Sequence, residues 1–134
     1  YFVKNWFKFE KELYNYIKYK MGTFIYFGAQ YRVGRNAKQN WELLDNSNDD
    51  DIWVHLDNLP SCYVIIDSEL SDNINKTHIE YAGTLCINYS KNKIPNNVTG
   101  VTYIYTKCKN VKKGKSTGEA ILSVTPERKY KKIN

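Results

Sequence analysis

The chain has 134 residues, of which 42% are hydrophobic and 25% charged, with a net charge of +6. This length suits one domain rather than two, and the composition excludes a disordered chain. No apolar run could span a membrane, and no signal-peptide pattern opens the sequence. The three cysteines are well separated and indicate neither a disulfide framework nor a zinc knuckle. We therefore expect a cytoplasmic protein.

Charge is segregated along the chain. Residues 1–44 carry a net charge of +5, residues 45–82 carry −8, and residues 83–134 carry +9. Two basic segments around an acidic one are expected of a protein that presents a basic face to a polyanion. Seventeen lysines against three arginines also suit an AT-rich genome, so solvated surface lysines are the alternative interpretation.

The first predicted element is a basic amphipathic helix over residues 4–19. Its apolar stripe recurs at helical spacing and consists of Trp6, Phe9, Leu13 and Ile17. We assign residues 1–20 to this helix and residues 21–134 to the domain that follows.

A hairpin and a capped helix are predicted next. Residues 23–28 have the composition of a strand, and a tight connection at 29–30 would join them to a second strand at 31–33. Asn36 followed by Gln39 is a variant of the capping box and predicts a helix that starts here.

Two further strands are predicted at 51–56 and 63–67, because both segments are rich in β-branched and aromatic residues. A second helix is expected to begin at Thr77, with Glu80 as its capping partner. Gly83 inside this helix costs about 1 kcal/mol relative to alanine.

The C-terminal third is predicted to be mostly strand. Residues 101–106 alternate as a strand does, residues 107–117 read as a lysine-rich loop or hairpin tip, and strands follow at 120–125 and 129–133. The expected fold is α+β: one domain with a mixed, mostly antiparallel sheet and two to three helices.

The junction at residues 34–38 is the first candidate site. A helix N-terminus attracts phosphate oxygens, and Arg35 and Lys38 would add positive charge beside it. The alternative is that Gly34 only serves the turn and Asn36 only caps the helix.

The densest positive cluster is the second candidate. Neutralised phosphates would make its binding salt-dependent, and the interleaved Tyr103 and Tyr105 could stack on bases unless they face the core. Its lysines are Lys107, Lys109, Lys112, Lys113 and Lys115.

Enzyme chemistry has only weak signals. His55 near Asp51 and Cys62 suggests acid–base or nucleophilic work, but a lone histidine on a strand is more often structural. We therefore predict no catalytic residue, no metal site and no cofactor.

Several segments together resemble the NFACT-R domain family. The run G-R-N-A-K-Q-N at 34–40 resembles its G-R-N/D-A-x-Q-N signature, and D-I-W-V-H-L at 51–56 with the L-P-S and V-I-I of 59–66 resembles its second motif. Ser90-Lys91 and V-K-K-G-K at 111–115 are similar to its later elements. Departures are Tyr63, where the family has histidine, and Trp41, where it has an acidic residue.

The resemblance implies a standalone, non-catalytic RNA-binding module that is associated with ribosomes and their quality control, with tRNA or rRNA as partner and the large ribosomal subunit as a further one. The matching functional positions are Arg35, Asn36, Gln39, Asn40, Trp53, His55, Ser61, Ser90 and Lys91. The expected phosphate contacts are Arg35, Lys38, Lys91, Lys109, Lys112, Lys113 and Lys115. Lysine-dominated contacts would read little base sequence.

The alternative function is a protein-interaction adaptor that docks through the N-terminal apolar stripe. Rising salt should weaken RNA binding steeply and leave an apolar interface intact.

Overall fold

The computed structural model describes residues 22–69 and 73–133, and the predicted helix at 4–19 lies outside them. The described chain forms eight strands, two α-helices and short 3₁₀ turns at Lys91–Lys93 and Cys108–Asn110. The elements are β1 (Thr23–Tyr26), β2 (Ala29–Gly34), α1 (Ala37–Asp45), β3 (Ile52–Leu56), β4 (Tyr63–Ile66), α2 (Lys76–Tyr89), β5 (Gly100–Lys107), β6 (Val111–Lys113), β7 (Ala120–Leu122) and β8 (Glu127–Lys132).

Six of these strands form one sheet in the order β1-β2-β4-β3-β5-β8, and every neighbouring pair is antiparallel. The α+β prediction is confirmed, although the sheet is antiparallel throughout rather than mixed. The predicted strand at 120–125 is wrong as a member of this sheet. The 3₁₀ turn after β5 carries the chain away, so β7 pairs with β6 in a separate hairpin and β8 forms the sheet edge.

Both faces of the central strands are covered. One face packs Val54, Val64 and Tyr103 under α2, and the other packs Trp53 and Tyr63 under α1 and the β6–β7 hairpin. Because alternate strand residues point to opposite faces, burial on both sides leaves β4 buried at every position. Tyr103 is 1% exposed, so it faces the core and not a ligand.

Two local predictions need correction. The hairpin turn lies at Phe27-Gly28, both with positive φ, and not at residues 29–30, because a two-residue primed turn matches the twist of the flanking strands.

The second helix is capped by Asn75, whose side chain accepts from Thr77 N at 2.9 Å, while His78 Nδ1 accepts from Asn75 N at 2.9 Å. Asn75 is therefore the cap instead of the predicted Thr77, and His78, three residues ahead of it, supplies the side-chain acceptor of the capping box.

Candidate nucleic-acid interface

Four segments that are distant in sequence meet at one cleft of about 480 Å³. They are the β2–α1 junction, the β3–β4 turn, the C-terminal end of α2, and the loop between β6 and β7. Among the residues that line this cleft are six of the predicted site residues: Arg35, Asn36, Asn40, His55, Ser61 and Ser90.

The cleft is positively charged. Arg35 and Lys93 line it, and none of the described residues that line it carries a carboxylate. The guanidinium carbon of Arg35 lies 5.2 Å from the centre of the Tyr89 ring, a cation–π contact that orients this exposed side chain. The N-terminal end of α1 borders the same space at Asn36 and Ala37, which adds a positive helix-dipole end.

Asn36 and Gln39 hold the start of α1. Asn36 Oδ1 accepts from Gln39 N at 2.8 Å, and Gln39 Oε1 accepts from Arg35 N at 3.0 Å. The predicted cap is therefore confirmed, and both side chains are used inside the protein.

Buried polar side chains fix the wall of the cleft. Asn40 Oδ1 accepts from Tyr63 N at 3.0 Å, and Asn40 Nδ2 donates to Ser61 O at 3.3 Å. Ser61 Oγ accepts from Leu56 N at 3.0 Å, and Ser90 Oγ accepts from Cys62 N at 3.0 Å. Because Asn40 and Ser90 are buried and bonded within the protein, they stabilise the wall of the cleft, and more exposed residues are available to contact a ligand.

Trp53 lies beneath the cleft and not on its surface. Its side chain is 1% exposed, and the His55 ring stacks on it at 5.4 Å with 5° between the planes. Half-buried His55 thus forms the cleft-facing layer of this stack. Burial lowers the pKa of His55 below its usual 6.5, so the ring is neutral at pH 7 and adds no charge to the site.

This histidine predicts a pH dependence of folding. Because the pKa of His55 is lower in the folded chain, the unfolded chain binds the proton more readily. The contribution of His55 to the free energy of unfolding should therefore be at its maximum above pH 6.5. It should decrease as the pH falls from 6.5 toward the pKa of His55 in the folded chain. Urea unfolding across this range measures it. His55→Phe, which keeps a ring against Trp53, should flatten the profile, and identical profiles would contradict the assignment.

The two departures from the family signature both fasten the β6–β7 hairpin. Tyr63 Oη donates to Gly118 O at 2.7 Å, and burial raises the pKa of Tyr63 to about 12. Trp41 Nε1 donates to Glu119 O at 3.1 Å. A tyrosine and a tryptophan at these positions thus bring Gly118 to the rim of the cleft.

The predicted lysines do not line the cleft, and two of the lysines in the basic cluster form ion pairs within the chain. Lys113 Nζ lies 2.7 Å from an Asp45 carboxylate oxygen and 5.4 Å from the centre of the Trp41 ring, so much of its charge is balanced locally. Lys107, 3.2 Å from Asp50, is balanced in the same way. The remaining predicted lysines are exposed outside the cleft lining: Lys38, Lys91, Lys109, Lys112 and Lys115.

The residues considered for enzyme chemistry are not assembled. Asp51 lies at the other end of β3 from His55 and pairs with Arg32 at 3.5 Å. Cys62 Sγ donates to Cys86 O at 3.6 Å and accepts from Ser90 Oγ at 3.6 Å. Those two residues, not His55, are the thiol's hydrogen-bond partners in the described chain.

Sequence reasoning missed Lys93 and Tyr89 as cleft residues. Tyr89 is the last residue of α2 and is 38% exposed, so it reaches the cleft from the end of the helix. Lys93 is in the same 3₁₀ turn as predicted Lys91, and a reading of that turn as a unit would have included it.

Comparisons with known proteins address the fold and the family. A family model described as "NFACT protein RNA binding domain" matches residues 20–123. The chain is similar in structure to the C-terminal part of the fibronectin/fibrinogen-binding protein from Streptococcus suis, with a TM-score of 0.62 and 20% identity over 76% of this chain and 40% of that one. No curated protein matches the chain. Within the described residues, no helix is both long and apolar enough to cross a membrane.

Proposed function

Because this chain belongs to the NFACT RNA-binding domain family, we propose that it is a non-catalytic RNA-binding module whose cleft at the start of α1 holds the phosphate backbone of tRNA or rRNA. The observation that carries the proposal is the convergence of Arg35, Lys93 and the α1 N-terminus on one cleft that no carboxylate of the described chain lines. We place this activity at the ribosome, with the large subunit as partner and quality control as context.

The chemistry of the cleft suits a phosphate backbone. Arginine offers paired N–H donors to phosphate oxygens, and Lys93 adds a second positive charge. Asn92 and Thr117 also line the cleft and bring polar groups of the kind that contact phosphates and sugars. Such contacts position an RNA without reading its sequence, so we expect low base specificity.

Two lysines near the cleft have an alternative, purely structural explanation. Lys91 and Lys93 follow the C-terminal end of α2, where cations stabilise a helix by about 0.3–1 kcal/mol without binding any ligand. Arg35 has no such role, because it precedes the N-terminal end of α1. The test therefore centres on Arg35.

The experiment is binding of labelled tRNA, and of a duplex DNA of matched size, across a salt series. Arg35→Ala combined with Lys93→Ala should weaken tRNA binding about tenfold or more, since a hydrogen bond to a charged group contributes about 1.5–3 kcal/mol. Each lost phosphate contact should also reduce the slope of log K against log salt, by about 0.7 on single-stranded RNA.

Matched variants separate the cleft from charge in general. Lys76→Ala removes an exposed lysine at the opposite end of α2 and should change binding little. Replacing Lys112, Lys113 and Lys115 together by alanine tests the hairpin lysines. If this triple variant loses binding while the cleft variant keeps it, the hairpin and not the cleft is the RNA surface. If the wild type binds no tRNA at low salt, the proposed function is wrong.

A further inference from the structure

The edge strand β8 carries an exposed aromatic ring between two cations. Tyr130 is 63% exposed, and Arg128 and Lys132 on either side of it are also exposed. Alternate strand residues share a face, so the three side chains lie on one side of the sheet. The intervening Lys129 and Lys131 are half-buried toward the other side. This arrangement lies beyond residues 20–123, which the family model matches.

This face of β8 continues from the cleft across the sheet. His55, which lines the cleft, pairs in register with Ile104 of β5, and Ile104 pairs with Arg128 of β8. Two strand spacings place Arg128 roughly 10 Å from His55. Tyr130 is the next residue of β8 on the same face, opposite Thr102. An RNA strand that leaves the cleft would meet Tyr130 within a few nucleotides.

The aromatic ring and its neighbour are held in place. A Cβ on Gly100 would collide with the hydroxyl end of the Tyr130 ring, so the ring lies across the space that this glycine leaves open. The Arg128 guanidinium is paired with the Asp57 carboxylate. That pairing balances much of the Arg128 charge but fixes its flat guanidinium beside the ring, and Lys132 supplies the positive charge of this surface. A platform that is already ordered loses little entropy when a base stacks on it.

We propose that β8 is a stacking platform on which Tyr130 receives one unpaired base of a single-stranded RNA segment, flanked by Arg128 and Lys132. The proposal rests on the proposed function, since the same RNA would occupy the cleft. Aromatic rings accept any base, so the platform adds affinity for unpaired RNA without adding sequence preference.

A purely structural role for Tyr130 is the competing interpretation, because aromatic rings often cover strand glycines. Such a role needs an apolar side chain over Gly100 but no free ring face. Tyr130→Ile keeps the cover and the strand propensity while it removes the ring, and Tyr130→Phe keeps the ring and removes the hydroxyl. The two variants separate covering from stacking.

The experiment measures binding of an unstructured 12-nucleotide RNA and of a blunt RNA duplex at fixed salt. Tyr130→Ile should weaken binding of the single strand about 5- to 150-fold, the range for one base–aromatic stack. It should change duplex binding little and leave the salt slope unchanged, because stacking releases no counterions. Tyr130→Phe should bind as the wild type does. Tyr26→Ala, at an exposed tyrosine of the opposite edge strand, is the matched control.

The outcomes distinguish the platform from the cleft. If Arg35→Ala weakens RNA binding but Tyr130→Ile does not, the platform proposal is overturned and the proposed function stands. If Tyr130→Ile weakens single-strand and duplex binding equally, stacking is excluded. If the wild type binds neither RNA, both proposals fail. Unchanged thermal unfolding of Tyr130→Ile confirms that its effect is on binding.

Discussion

Asp51→Asn is expected to lower the free energy of unfolding by about 3–5 kcal/mol, the cost of breaking a buried ion pair. Asp51 is 1% exposed. Its Oδ1 accepts from Ser68 N at 2.8 Å, and its Oδ2 accepts from Asn48 N at 2.8 Å. Both oxygens receive a backbone N–H, so whichever one becomes NH₂ in asparagine will face another donor. Arg32, 3.5 Å from Oδ2, also loses a partner and keeps only Asp67 at 2.7 Å.

Urea unfolding of wild type and variant measures this difference, and the neighbouring Asp50→Asn is its control. The Asp50 side chain is 70% exposed and pairs with Lys107 on the surface, so its loss should cost less than about 1 kcal/mol. Equal effects of the two substitutions would show that the buried network does not stabilise the fold. The result also bears on chemistry, since a residue fully engaged in the core is unavailable as an acid or base.

The second large effect is expected for Gly34→Ala, at about 3 kcal/mol, the upper end of the usual cost of overpacking. An added Cβ would lie 2.9 Å from the backbone N of Asn40 and would also collide with the Asn40 side-chain oxygen. The backbone of α1 cannot move aside as a flexible side chain would. Displacing Asn40 breaks its hydrogen bonds to Ser61 and Tyr63. The cleft should therefore lose RNA affinity together with stability.

Thermal unfolding and tRNA binding both test this prediction. Gly114→Ala is the control, because the nearest atoms to a Cβ there all belong to the exposed side chain of Glu119, which can move and is held only by a surface hydrogen bond from Lys115 N. We expect that control to stay within about 0.5 kcal/mol of the wild type, as surface substitutions do. If Gly34→Ala is as stable as the control, the close contact with α1 does not explain the glycine of the signature.

The segregation of charge along the chain has a partly structural explanation. The basic C-terminal segment pairs with the acidic middle through Lys107–Asp50, Lys113–Asp45 and Arg128–Asp57. Lys107 and Lys113, two of the lysines that suggested a polyanion surface, are therefore balanced by carboxylates inside the same molecule. Arg35 and Lys93 line a cleft with no such balance, a difference that a count of charges along the sequence does not show.

Helix caps can be predicted from the sequence where the capping residue and its hydrogen-bond partner lie within a few residues of each other. The cap of α1 follows from Asn36 and Gln39, which are three residues apart, and Asn36 Oδ1 accepts from Gln39 N as expected. The same reasoning misplaced the cap of α2, because asparagine and threonine are both favoured at the N-cap of a helix. The hydrogen bond that His78 accepts from Asn75 N distinguishes Asn75 from Thr77. Strand positions were predictable where both faces are buried, as in β4.

The sequence by itself determined the α+β class, the capped start of α1 and the family, because these depend on periodicity and on motifs that are contiguous in the chain. Only the tertiary structure decided that Trp53 is a buried support for His55, that Asp51 is a core residue, and that β8 brings Tyr130 to the face beside the cleft. Charge balance depends on partners up to 71 residues away, as for Arg128 and Asp57, and pairing over such distances is set by strand order and packing.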